Sequence, residues 1–392
     1  MQGALCREAA RCKAGEHDVT EEAMTARRRL ETALEAISPA DAAIEPAARA
    51  RLDDLTKPRG SLGRLEDVAA ALYVMAGGVT PLRVDPVQFF TVAADHGVAA
   101  EGVSAYAQDV TRQMVHNFLA GGAAINVLCR TFDIGLQVVD AGCRGGAFAA
   151  HPMLVDRRLG DGTDNMAAGP AMTEEACARG LLAGMDLAAE AVAAGARCLG
   201  VGEMGIGNTT AASALFAAWL GIAPERLTGP GTGLNAEGVR RKAGVIARAL
   251  TVNAGALRSG DPVSVLAALG GFEIAVMAGV TLGAAACRVP CLIDGFIAQS
   301  AYLAALKLCP AVRTYAFVAH ASAEPGSVAL LPALGARPLL DLGMRLGEGT
   351  GAALAVPLLR AAAALFNEMA TFSGTDVSGR LYAGGAPEGA KP

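Results

Sequence analysis

The sequence predicts an α/β protein built on a doubly wound, Rossmann-like and mostly parallel sheet, with a small helical domain beside it. Three observations predict this. From Pro81 onward, short apolar runs alternate with longer Ala-rich runs, an order that means parallel strands joined by right-handed crossovers. Ionisable or polar residues follow these short runs directly: Asp95 and His96, Asp140, Glu203, Asp294, and His320 with Ser322. In open parallel sheets ligands bind just outside the carboxyl ends of the strands, so five strands point at one site. The chain is also 53% hydrophobic and 18% charged, with 48 glycines in 392 residues, about 12% against a usual ~7%. That suits a large core with tight turns and closely packed helices.

Residues 1–23 hold few large apolar side chains and read as an extension, or as a start placed too early, with Met24 an alternative initiator. Residues 24–80 with 367–392 are expected to form the small helical domain, and 81–366 the large α/β domain that carries the site. Ala26–Leu55 has a helical pattern broken at Ser38–Asp41, where Ser38 or Asp41 can cap the next helix. Lys57–Glu66 is a turn leading into a helix through about Met75. Val87–Ala93 reads as a buried strand, Val110–Cys129 as a helix and Ile134–Val139 as a strand. Thr173–Ala194 is a helix with Thr173 as its cap and Glu174 and Glu175 in the first turn, where acids suit the helix dipole. Strand Cys198–Val201 precedes helix Ala211–Leu220. Strands Val289–Ile293 and Thr314–Ala319 flank helix Phe296–Lys307, and Ala352–Phe366 is a long apolar helix.

A net charge of −5 and a pI near 5.6 argue against nucleic-acid wrapping, which needs a basic face. Nine scattered cysteines lack paired spacing and read as buried free thiols in a reducing cytoplasm. Met1–Thr20 has no apolar stretch of secretory type. Pro262–Cys287 is apolar for most of its length, but Glu273 and four glycines interrupt it, so a buried helical hairpin is expected rather than a span. The expectation is a soluble, cytoplasmic protein without a membrane partner.

Leu199–Thr210 concentrates the chemistry, with four glycines (Gly200, Gly202, Gly205, Gly207) around Glu203, then Asn208, Thr209 and Thr210. A strand, an anion-cradling turn holding the carboxylate, and a helix capped by residues 208–210 are expected, since free N–H groups at a helix start attract phosphate. The formal G-x-G-x-x-G match needs an acid closing a second strand about 20 residues on. Glu225 lies at that distance but in a turn, which disfavours NAD; no Walker lysine follows the glycines either. Gly229–Leu234 is a second glycine-rich loop, leading to Arg240, Arg241 and Lys242. Glu203 and Glu348 both sit near glycines at the mouth of the expected crevice. Each is either a desolvated general base or a solvated turn glutamate. Asp95-His96 with His320 suggests a metal only weakly, and no metal or cofactor is expected.

Eight stretches together resemble one family. They are Leu55–Glu66 (LTKPRGSLGRLE), Ala94–Val110 (ADHGVAAEGVSAYAQDV), Gly162–Asn165 (GTDN), Gly202–Thr210 (GEMGIGNTT), Gly229–Gly233 (GPGTG), Gly270–Ala275 (GGFEIA), Ile293–Ile297 (IDGFI) and Leu346–Gly351 (LGEGTG). Arg59 replaces an expected second proline. In this order they resemble nicotinate-nucleotide–dimethylbenzimidazole phosphoribosyltransferase, an enzyme of cobalamin lower-ligand assembly. The resemblance implies transfer of phosphoribose from nicotinate mononucleotide to 5,6-dimethylbenzimidazole with inversion at C1′, giving α-ribazole 5′-phosphate and nicotinate. It implies Glu348 as general base, with Glu203 as the second acid of the catalytic pocket. Ser104 and Gln113 would line the base pocket with Glu203. Gly205, Ile206, Gly207, Asn208, Thr209, Thr210 and Lys242 would hold the phosphate, and Gly231, Thr232, Gly233 and Ser322 the ribose side, with Asp294 also at the site. A homodimer is implied too. The rival readings are an NAD-dependent oxidoreductase and a non-catalytic nucleotide-phosphate sensor.

Overall fold

A computed structural model describes residues 25–231 and 233–378. Residues 1–23, Met24, Thr232 and the segment after 378, all named above, lie outside the described residues. Six strands form one sheet: β1 (Val87–Ala94), β2 (Gly135–Gly142), β3 (Leu154–Asp156), β4 (Cys198–Met204), β5 (Cys291–Ile293) and β6 (Ala316–Val318). Every pairing is parallel and the order is β3-β2-β1-β4-β5-β6. The chain therefore winds outward one way from β1 and the other way from β4. The order reverses between these two strands, where such sheets open a crevice.

The expected strands are all present, and β3 is an addition. It is three residues long with no fully buried position, so it carries too little apolar signal to be read from sequence. The run Val110–Cys129 proves to be two helices, Val110–Leu119 and Ala124–Thr131, parted by Gly121 and Gly122, with Gly121 at φ 78°. Thr173 does cap its helix, accepting from the Ala176 N–H, and Asp41 rather than Ser38 accepts from Ala43 N–H.

Pro262–Cys287 folds as helices Pro262–Leu269 and Phe272–Ala286, broken at Gly270-Gly271. Neither is long enough to cross a membrane. Thr350–Glu368 is long and apolar enough by that measure, but 56% of it is buried against the protein. Phe272–Ala286 crosses Glu174–Ala193 so closely that a Cβ on Gly184 or Gly279 would overlap the facing backbone. Four glycines, Gly180, Gly184, Gly279 and Gly283, lie at this crossing. The helices Glu45–Asp54, Arg64–Met75 and Thr350–Glu368 pack in sequence onto one another, and the last lies on β4 and β5. Six of the seven described cysteines are buried, and none of the seven is in a disulfide.

Candidate active site

The carboxyl ends of β1, β4 and β5 bring two glutamates together. Glu203 is the penultimate residue of β4, so it stands on the strand end and not in the turn, as the sequence reading had it. Its side chain is 6% exposed and its Oε2 accepts from Asn208 Nδ2. Gly347 passes directly over the other oxygen, leaving no room for a side chain there. Burial is the main force pushing the Glu203 carboxyl up to about 8, the charges of Glu273 and Asp294 adding to it, Asn208 opposing, and Glu348 adding last.

Glu348 sits in the loop ahead of helix Thr350–Glu368 with φ 63°, between Gly347 at 88° and Gly349 at 97°. A bulky L-residue seldom adopts the left-handed region, and where one is held there the surroundings must enforce it. Here Thr91 Oγ1 donates to the Glu348 carbonyl (2.9 Å), and Gly202 of β4 lies flat against that carbonyl. Asp294 accepts from Gly349 N–H (3.1 Å) and Ala352 N–H (2.9 Å), tying the loop to the end of β5. The Glu348 carboxyl receives one backbone N–H, from Ile125 at 3.3 Å, and is 6% exposed. Burial raises its pKa above the ordinary glutamate value, the Ile125 N–H opposing and Asp294 adding.

The glycine turn after β4 runs into helix Asn208–Leu220, whose cap is Gly207 at φ 100°. Asn208, Thr209 and Thr210 therefore occupy the first helical positions instead of the cap, and Asn208 turns its amide to Glu203. Several amides of the expected phosphate cradle already donate within the protein: Ile206 to Thr111 Oγ1, Asn208 to the Gly205 carbonyl and Thr210 to the Gly207 carbonyl. The cradle narrows to the remaining amides of the turn and to a side-chain cluster. Lys242, 1% exposed, donates to Thr209 Oγ1 at 2.6 Å. Gly231 lies beside both, a Cβ there falling 3.3 Å from Thr209 Oγ1 and 3.4 Å from Lys242 Nζ. Burial lowers the Lys242 pKa to about 8, with Glu324 opposing.

Other expected residues are less closely gathered. Ser322 is buried, its hydroxyl accepting from Glu324 N–H, and Ser104 accepts from Tyr106 N–H. Gly233 is in the second glycine loop at φ 122°. Gln113 is exposed on helix Val110–Leu119, two residues from Thr111 and so about 200° round the axis from the face that meets Ile206. Asp294 has both oxygens on backbone amides, which makes it a holder of the Glu348 loop. Three residues were not singled out from sequence. Thr91 looks like any strand residue; Glu324 packs against Gly229 near Lys242; Arg345 Nη1 donates to the Gly231 carbonyl at 3.3 Å. Only Arg345, three residues before Glu348 and next to the motif that begins at Leu346, offered a signal. The histidines do not converge: His96 pairs with Glu273, and His320 Nε2 lies 3.5 Å from Asp294 Oδ1.

A family model described as phosphoribosyltransferase matches residues 37–377. The chain belongs to that family. It is 58% identical over 349 residues to the nicotinate-nucleotide–dimethylbenzimidazole phosphoribosyltransferase of Nitratidesulfovibrio vulgaris strain DP4, covering 89% of this chain and 98% of the relative. The enzyme of the same name from Solidesulfovibrio magneticus is 57% identical, over 90% of this chain and 99% of its own. Among solved structures, CobT from Thermus thermophilus matches with a TM-score of 0.80 and 48% identity, over 86% of this chain and 99% of that one. For this phosphoribosyltransferase family member, the fold expected from strand–helix alternation and the family expected from eight ordered motifs both hold. The near-match to a dinucleotide fingerprint lies at the reversal of the sheet, and Glu225 falls in the short helix Pro224–Leu227, away from any strand end.

Proposed function

We propose that the chain transfers the phosphoribosyl group of nicotinate mononucleotide to 5,6-dimethylbenzimidazole, releasing nicotinate and α-ribazole 5′-phosphate, with Glu348 as general base. The observation that supports this most is Glu348 itself, a buried carboxyl in a left-handed conformation fixed by three strands' worth of partners, beside a second acid. Its raised pKa brings it nearer the operating pH, as a base needs. Glu348 takes the proton from one benzimidazole nitrogen while the other attacks C1′. Attack on the face opposite nicotinate inverts the anomeric carbon. The departing pyridinium leaves as a neutral ring, so the step needs no electrophile beyond the one already in the substrate. Thr209, Lys242 and the turn at 205–210 hold the phosphate, and Gly231 to Gly233 and Ser322 the ribose side. Glu203 and Ser104 face the aromatic base. A cytoplasmic homodimer in which residues 24–80 and 367–392 brace the body at 81–366 completes the reading.

Incubation with both substrates, followed by chromatography, tests it: nicotinate and α-ribazole phosphate should appear together. Nicotinate release without the base, or none with it, would overturn the reading in favour of a hydrolase or a sensor.

Lys242→Met should raise the KM for nicotinate mononucleotide by roughly 10–100-fold, the worth of one charge-assisted hydrogen bond, with kcat nearly unchanged. A loss confined to kcat would remove Lys242 from the phosphate site. The pH profile of kcat/KM should be bell-shaped. The acid limb is Glu348: its pKa is raised, so activity falls as pH drops through a value above that of ordinary glutamate. The alkaline limb is Lys242, which loses its charge above about 8. In kcat that limb should be absent, because a lysine that only holds the phosphate does not change the rate of the bound complex.

A further inference from the structure

One pair of helices touches both halves of the site. Val110–Leu119 carries Thr111, whose Oγ1 accepts from Ile206 N–H in the turn after β4 (3.1 Å). Ala124–Thr131 carries Ile125, whose N–H donates to Glu348 Oε2 (3.3 Å). The chain breaks between the two helices at Gly121-Gly122, and one side chain closes the break. Asn126, 3% exposed, accepts from Ala123 N–H through Oδ1 (3.1 Å) and donates from Nδ2 to the Phe118 carbonyl (3.0 Å). The first bond holds the start of the second helix in the manner of a capping box, and the second fastens it to the last turn of the first helix. The position thus asks one planar group for an acceptor and a donor together. Ionised aspartate has no proton to give, and leucine has neither function.

We propose that Asn126 is a positioning residue for the general base: by knotting the two helices it aims the Ile125 N–H at Glu348 and so fixes the carboxyl. Ile125 makes a second contact with the same loop, its Cδ1 lying 3.4 Å from where a Cβ on Gly349 would stand. The N–H belongs to the first turn of its helix, where the dipole favours an anion. The charged groups facing Glu348 from other elements are Asp294 at the end of β5 and Glu203 at the end of β4, with His320 3.5 Å behind Asp294. Both acids repel a charge on Glu348, and the Ile125 N–H favours it. An amide that drifts from Oε2 therefore costs the base its charged form and its aim together. This rests on the reading of Glu348 as the base.

The test is an infrared titration of the enzyme without substrates, following the protonated-carboxyl band that Glu348→Gln removes. In the native chain the band should grow in as pH falls through a value above that of ordinary glutamate. In Asn126→Ala the midpoint should lie roughly one unit higher, the effect of weakening one hydrogen bond to the ionised form. Turnover measured in parallel should show kcat lower by roughly 10–100-fold, with the KM for nicotinate mononucleotide within about threefold, since Thr111 still holds the phosphate turn. Asn126→Ser, too short to reach both partners, carries the same expectations if the alanine variant does not fold. A native midpoint or a native kcat in a folded variant would overturn the proposal. So would a KM that rises as far as kcat falls, which would place the helix pair in the nucleotide site. Loss of the fold in both variants would overturn it too, leaving Asn126 as structural support alone. The titration needs no substrate, so an enzyme making no α-ribazole phosphate can still show the shift, and an unshifted midpoint leaves the transfer reading standing.

Discussion

Glu348→Gln is expected to lower kcat by roughly 10²–10⁴-fold, the usual contribution of a positioned general base. Glutamine matches glutamate in size, and its amide oxygen can still accept the Ile125 N–H that the native carboxyl receives. The backbone anchors of residue 348 do not involve the side chain at all, since Thr91 holds its carbonyl and Asp294 holds the next amide. The left-handed turn therefore survives the change, and what is lost is the ability to take a proton. Calorimetric titration with nicotinate mononucleotide should give an affinity within about threefold of the native enzyme, because the phosphate contacts lie on other loops. Retention of the native turnover would exclude Glu348 as the base. A matched loss of nucleotide affinity would instead make it a binding residue.

Residue type and position after a strand were enough to place Glu203, Asp294 and His320 at the carboxyl edge of the sheet. The sequence was less informative where backbone register or a distant element decided. Glu203 was placed in a turn because glycines surround it, yet Gly200 and Gly202 are strand residues whose missing side chains admit Phe89 and the Glu348 loop. Asp294 was expected to touch substrate because it ends a strand; its two backbone partners, Gly349 and Ala352, are more than fifty residues away, and nothing local announces them. Thr91 is hidden for the same reason, being one of many β-branched residues in strands. The break at Gly121-Gly122 was written in the sequence but was outweighed by a continuous apolar pattern. β3 could not be found at all, since its place is set by pairing with β2 at Val138–Asp140.

Gly202 is where fold and site meet, and Gly202→Ala should be the most damaging single methyl in the crevice. Residue 202 pairs across the sheet with Thr91, and it lies flat against the Glu348 carbonyl that Thr91 binds. A Cβ at 202 would overlap that carbonyl and the Gly349 nitrogen, all of them backbone, so no rotamer change can relieve it. Either β4 or the loop must move. Strain of this kind in a packed core costs about 1–3 kcal/mol, which urea denaturation would register as a lower midpoint with the same slope. The loss of activity should be larger than the loss of stability implies. Displacing the loop pulls Glu348 O from Thr91 Oγ1 and moves the carboxyl with it, and a shift of about 1 Å in a reacting group costs on the order of 100-fold. Thr209, Lys242 and Gly231 belong to other segments and keep their mutual contacts, so the KM for nicotinate mononucleotide should change far less than kcat. Equal loss in both constants would mean that the loop carries the nucleotide as well as the base. Native activity in a folded Gly202→Ala protein would mean that the left-handed turn at Glu348 is not what positions the carboxyl.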